Sequence, residues 1–369
     1  MAAALEGLLV ADFSRVLAGP LVGQTLGDLG ADVVKVESPE GDDTRRWGPP
    51  FDDRGGATYF NAANRNKRSL GLDLRRDDDR ASARELCERA DVVVANFRPG
   101  TLERFGLDHA SVSEANPRVV YCEITGFGEG AGREMPGYDP LVQALGGLMS
   151  ITGPPDAPSK TGVAIVDVVA GLYATVGVLA ALRERESSGR GQRVAINLLH
   201  TALATLANQA TGYLATGQVP ARLGNDHPSI APFSTYRAAD GDLMIGVGND
   251  RQFTSLCDAI GAVGVAADRR FAQNASRVAH AAELREAIER HLAARSCAEW
   301  TELLLAADVP AGPVLDVANA FELAQRLGLD VVDDVGGVRT VRFPATLSRT
   351  PAATRRRPPV LGGDDAAAA

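Results

Sequence analysis

The sequence predicts an α/β protein with a parallel sheet, and three observations carry that prediction. Short apolar runs of four to eight residues recur along the first two hundred positions. Helix-like stretches separate them, and the runs are apolar throughout rather than alternating, as in strands buried on both faces. The 369 residues exceed one ordinary core and suit a large domain plus a smaller one.

Taken in order, Leu8 to Phe13 reads as the first strand, and Ala18-Gly19-Pro20 then opens a helix, with Pro where a missing N–H costs nothing. That helix stops at Gly30, and Ala31 to Glu37 is the second strand. Ser69 to Leu74, Asp91 to Asn96 and Val119 to Thr125 are further strands, with a helix over Arg80 to Ala90. A long helix is predicted from Asp167 to about Ser187, broken by Ser188-Gly-Arg-Gly191, and Gln192 to Leu199 then reads as a strand leading into another helix. Residues 1–200 form the predicted large domain, completed by 323–369, with a linker over 201–225 and a small α+β domain over 226–322. The small domain opens with a hairpin turned at Asp240-Gly241 and continues as helices from about Asp250 to about Leu305. The Ala/Arg/Pro-rich end after Thr350 is expected to be poorly ordered at its tip.

Hydrophobic residues make up 45% and charged residues 23%, a globular balance. A net charge of -9 argues against nucleic acid or an anionic membrane as partner. Cys87, Cys122, Cys257 and Cys297 show no metal-ligand spacing, so no metal site is expected. Reduced thiols, with no basic stretch ahead of the first apolar run, lead to the expectation of a cytoplasmic protein. The apolar run from Val163 to Leu182 carries Asp167 and ends in Arg-Glu-Arg-Glu, which reads as a buried helix rather than a membrane span. Lys35, Lys67 and Lys160 are the only lysines among many arginines, a bias given no functional weight. The turn Ser14 to Pro20 lacks the glycine spacing of a dinucleotide fingerprint, so a nicotinamide enzyme is a weak reading.

Several motifs stand in one order: Leu17-Ala-Gly-Pro20, Leu26 to Glu37, Asn64 to Ser69, Asp91 to Gly100, Gly137-Tyr-Asp139, Asp167 with Gly177 to Leu182, Gly189-Arg-Gly-Gln192 and Val309 to Pro313. With these motifs the chain resembles family III coenzyme A transferases from about Leu8 to Leu361, the group that includes formyl-CoA transferase, with alpha-methylacyl-CoA racemase as a relative.

The resemblance implies a Rossmann-like large domain, an interlocked homodimer with the site between the large domain of one subunit and the small domain of the other, and CoA as substrate with no tightly bound cofactor. It implies an acyl-CoA donor and a carboxylic acid acceptor, with succinyl-CoA and a small dicarboxylate nearest in pattern. It places the covalent nucleophile at Asp167, which attacks the thioester carbonyl; on spacing alone an N-cap aspartate is the alternative. Backbone donors of the helix start are expected to hold the developing oxyanion. CoA contacts fall on Val16, Leu17 and Ala18, on Leu72 and Arg75, and on Asn96, Phe97, Arg98 and Arg104; each arginine taken singly reads equally as a solvated face. Leu17 replaces the glutamine, and Ser38 the arginine, of formyl-CoA transferase. Tyr138 and Asn249 stand where the racemase branch has a histidine and a glutamate, so Tyr138 reads as a pocket wall or hydrogen-bond donor, with a core tyrosine as the alternative. His227 is either a gate for a substrate carboxylate or a turn histidine. The runner-up function is an acyl-CoA racemase or epimerase; an inactive CoA-binding protein is the rival of another class, and Asp167 speaks against it.

Overall fold

The structure, a computed structural model, describes residues 3–364. It divides into two compact units: one of residues 1–148, 160–218 and 330–369, the other of residues 149–159 and 219–329.

The first unit is built on six strands, β1 (Leu9–Asp12), β2 (Asp32–Glu37), β3 (Lys67–Gly71), β4 (Val92–Ala95), β5 (Val120–Thr125) and β6 (Arg193–Asn197). All pair in parallel, in the order β3-β2-β1-β4-β5-β6. The sequence runs right and left from β1, so the crevice beyond the carboxyl ends of β1 and β4 is the switch point where such sheets hold ligands. Val10, Ala11 and the whole of β4 are fully or almost fully buried, the pattern of strands covered on both faces. Its helices include α1 (Ala18–Asp28), α2 (Thr58–Asn61), α3 (Asp77–Arg89), α4 (His109–Ala115) and α5 (Asp139–Leu145). The short α6 (Leu148–Ile151) precedes the long α7 (Ile165–Ser188), and α8 (Leu198–Thr205) and α9 (Asn208–Thr216) follow β6. The stretch 201–225, read as a linker, thus holds most of α8 and all of α9: Asn197 caps α8 by accepting the His200 N–H at 2.7 Å, so the chain turns from strand to helix without a gap.

β3 begins at Lys67, two residues before its expected start, and ends at Gly71 rather than Leu74. Its charged first residues hid it: Lys67 is buried, with its ammonium paired to Asp12 at 2.8 Å. α7 alone among the described helices is long and apolar enough to cross a membrane by length and composition. It packs on α1, α8, β5 and β6, and Gly171 lets the α1 backbone approach: a Cβ there would come 2.8 Å from the Ala18 carbonyl oxygen.

The second unit carries an antiparallel sheet of β7 (Phe233–Arg237), β8 (Asp242–Gly246) and β9 (Ala311–Pro313). Around it lie α10 (Asp250–Ala259), α11 (Val263–Ala266), α12 (Asn274–Ala279), α13 (Ala281–Leu292), α14 (Cys297–Ala306) and α15 (Val317–Arg326). Leu243, Ile245, Leu256, Ile288 and Trp300 form its separate core. Arg222 ties residues 149–159 to this unit by donating to the carbonyls of Ser150, Pro154 and Pro155.

The chain re-enters the first unit at Asp330 and forms the hairpin β10 (Val332–Val335) and β11 (Val338–Val341). The following strap is clasped by Asn66, whose side chain accepts the N–H groups of Arg355 and Arg356 and donates to the Ala353 carbonyl. The strap is ordered through Asp364, whose carboxylate accepts the Ser69 N–H at 3.0 Å; the tip expected to be poorly ordered lies outside the described residues.

Candidate active site

At the carboxyl ends of β1, β4 and β5, three loops close around a cavity of about 480 Å³. Val16, Leu17 and Ala18 line it from the first loop, Asn96, Phe97 and Arg98 from the second, and Gly126 to Gly128 with Gly137 and Tyr138 from the third; Asp167 lies in its wall. A second cavity of about 310 Å³ shares Arg15 and Phe97 with the first and contains Leu72 and Arg75. Most of the residues expected around CoA therefore meet in two adjoining hollows. Arg104 is exposed on the turn 103–105 and lines neither.

Asp167 is the third residue of α7 and only 8% exposed. It is not the helix cap. Asp139, the first residue of α5, takes that role from across the fold, accepting the N–H groups of Val166 at 2.8 Å and Asp167 at 3.2 Å. Gln143 donates to the other Asp139 oxygen at 2.6 Å and holds the carboxylate still. The expectation that α7 would offer free backbone donors to an oxyanion is corrected by these bonds. Besides the two N–H groups given to Asp139, that of Ile165 goes to Val163 and that of Val168 to Ala164.

Among the described residues nothing donates a hydrogen bond to the Asp167 side chain. Burial pushes its carboxyl up to about 7, and the like charge of Asp139 adds to the shift. Such a group is poorly solvated and accessible from a cavity, the setting in which a modest nucleophile gains reactivity.

The position of Asp139 follows from two glycines. A Cβ on Gly126 would come 2.5 Å from the Gly137 Cα, so the backbone beyond β5 and the segment ahead of α5 touch. That contact carries Tyr138 to the cavity rim, where it is 60% exposed, and Asp139 to the start of α7. Tyr138 is thus a cavity wall and not a core residue.

Arg75 is drawn aside by Asp73, which takes it in two bonds of 2.7 and 2.9 Å, whereas Arg98 is exposed at the cavity. Arg15 and Arg133 also line the main cavity and were not singled out in the sequence; Arg15 stands over the Phe97 ring at 5.3 Å. No spacing distinguishes them from the many surface arginines. Asp139 lay inside the Gly-Tyr-Asp motif, but its capping of a helix 26 residues away has no local signal.

His227 and Asn249 belong to the second unit. The His227 Nδ1 accepts the Ser229 N–H at 3.0 Å, and its ring meets Phe233 edge-on, a turn histidine's setting. Asn249 caps α10 by accepting the Gln252 N–H at 3.0 Å. Among the described residues no group of three His, Cys, Asp or Glu side chains is placed to hold a metal ion.

The fold is thus a doubly wound α/β sheet whose switch-point crevice contains a desolvated carboxylate and exposed arginines. The chain belongs to CoA-transferase family III, whose profile matches residues 5–365. It is 43% identical to a succinate–glutarate CoA-transferase of Agrobacterium fabrum, over 97% of this chain and 93% of that protein. It is 40% identical to an acetyl-CoA:oxalate CoA-transferase of Acetobacter aceti, over 93% and 89% respectively. The crystal structure of a CAIB/BAIF family protein from Brucella suis superposes with a TM-score of 0.90 at 44% identity, covering all of this chain and 98% of that one.

Proposed function

We propose that the protein moves CoA from succinyl-CoA to a small dicarboxylic acid through acyl intermediates on Asp167. The observation that carries this reading is the desolvated Asp167 carboxylate facing the same cavity as the loops after β1, β4 and β5. The names of the relatives supply the dicarboxylate class.

In the first step an Asp167 oxygen attacks the thioester carbonyl and expels the CoA thiolate, leaving a mixed anhydride. The thiolate then attacks the Asp167 carbonyl, releasing the donor carboxylate and leaving an aspartyl-CoA thioester. The acceptor carboxylate attacks that thioester, expelling the CoA thiolate and leaving a second mixed anhydride; the thiolate then attacks the acceptor-side carbonyl, forming the new CoA thioester and releasing the Asp167 carboxylate. Val16, Leu17, Ala18, Asn96, Phe97 and Arg98 hold CoA beside the carboxylate, with Leu72, Arg75 and Arg104 toward its nucleotide end. Tyr138 walls the acyl end. No step is assigned to His227 or Asn249, whose named bonds serve local turns.

The working form is a homodimer. The face of α7 bearing Leu172, Tyr173 and Val176 supports this, since these apolar side chains are 56%, 52% and 63% exposed. With reduced cysteines in the core, the expected compartment is the cytoplasm.

Hydroxylamine tests the chemistry. Added with succinyl-CoA, it should convert Asp167 to a hydroxamate visible by peptide mass, and Asp167→Ala should abolish transfer while CoA still binds. Retention of a tenth of the turnover, equivalent to only about 1.4 kcal/mol of barrier, would overturn the assignment.

A further inference from the structure

Val16 lies at φ 69, in the left-handed region that a β-branched residue avoids. Such a conformation persists only where the surroundings over-determine it. Here the surroundings are unusual. The Val16 N–H donates to the Asp42 carboxylate at 3.2 Å. Asp42 in turn accepts from Lys35 Nζ at 3.0 Å and from the Thr44 N–H and hydroxyl at 3.0 and 2.8 Å. The same Lys35 ammonium donates to the Ser14 carbonyl at 2.8 Å. At the other end of the loop, Lys67 donates to the Pro20 carbonyl at 2.8 Å and to Asp12 at 2.8 Å. Between them, Asn96 bonds both the N–H and the carbonyl of Arg15, at 2.8 and 2.6 Å.

The side chains of Lys35, Asp42, Lys67 and Asp12 are all 0% exposed. Burying an ion pair is poor value for stability alone, since desolvation offsets the attraction. Two of the three lysines in this arginine-rich chain are the ones spent here. An ammonium directs compact donors at a carbonyl and a carboxylate together, which a planar guanidinium fork does not match.

We infer that the buried Lys35–Asp42 pair is a positioning device that fixes the loop from Ser14 to Ala18 in its ligand-binding shape by holding the Val16 backbone. The inference rests on the reading of that loop as a CoA contact and deepens it. Both side chains are closed off from solvent, so they act on a ligand through the loop.

The test is steady-state kinetics on the full chain, with donor and acceptor varied separately. Asp42→Asn keeps the shape and removes the charge. It should raise the KM for succinyl-CoA by about tenfold or more, with kcat and the acceptor KM little changed. Asp28→Asn is the matched control, because Asp28 also sits in a buried pair, with Arg65 at 2.6 Å, away from the loop. It should lower the melting temperature and leave the donor KM alone. Glycine accepts φ 69 without steric cost, so in a Val16→Gly background the Asp42→Asn step should change the donor KM by less than about threefold.

Equal donor-KM shifts in the two aspartate variants would overturn the proposal, as would an Asp42→Asn effect of the same size in both backgrounds. Should Asp42→Asn not fold, Thr44→Val removes one hydroxyl donor to Asp42 and should still raise the donor KM by about threefold; an unchanged KM would overturn the proposal. Failure of hydroxamate formation in the unsubstituted chain would count against the transferase reading, whereas these variant ratios count only against the positioning device.

Discussion

Asp167 combines two demands that pull against each other. As the proposed nucleophile it must be ionised to attack, yet burial and the neighbouring Asp139 both favour its neutral form, with a midpoint near pH 7. Transfer should therefore rise with pH through about 7 along a single ionisation, read from kcat at saturating substrates. Asp139→Asn removes the like charge while retaining an acceptor for the Val166 and Asp167 N–H groups. The Asp167 midpoint should then move down, and the acid limb of the profile with it; an unmoved limb would assign the ionisation elsewhere. Stability carries the opposite sign. The folded carboxyl keeps its proton between about pH 4 and 7 while the unfolded chain releases it, so this group's contribution to stability is lost as pH rises through that window. Asp167→Asn should flatten that slope and raise stability at pH 8 by on the order of 2 kcal/mol.

At the scale of elements, the site depends on where α5 begins relative to β5. Gly126 and Gly137 touch through backbone atoms, so Gly137→Ala forces the two segments apart. A displacement of about an ångström in the group that caps α7 should cost turnover by about a hundredfold, with donor binding less affected. Circular dichroism would check that the fold survives. Strands β1, β2, β4, β5 and β6 and helices α1 and α7 were legible because apolar runs and Gly/Pro punctuation coincide there. β3 was misplaced because Lys67 and Arg68 open it, and a charged residue paid for by a buried partner looks like a loop. Asp167 was singled out only through the order of motifs along the chain. By spacing it read as a cap, and the residue that displaces it from that role, Asp139, comes from a different helix. The Lys35–Asp42 pair was invisible for the same reason: the pairing of buried charges is decided in three dimensions.

For the molecule as a whole, α7 is the informative element. One face is sealed against α1, α8 and the sheet, and another leaves Leu172, Tyr173 and Val176 open. If a second copy covers that face, Val176→Arg should convert a dimer into a monomer on analytical ultracentrifugation, because a guanidinium buried at an apolar contact lacks a partner. A monomeric unsubstituted chain would refute the dimer.

The Asn66 clasp bears on the order in which the protein can be made. Asn66 stands immediately before strand β3, and Ser69 lies within it, yet the groups that satisfy Asn66 and Ser69 lie at 353–356 and 362–364. Everything in residues 219–329 emerges from the ribosome between those two halves. During synthesis the second unit can settle while the first still waits with polar groups around Asp28, Asn66 and Ser69 unclosed, so the part of the chain translated first is the last to be finished.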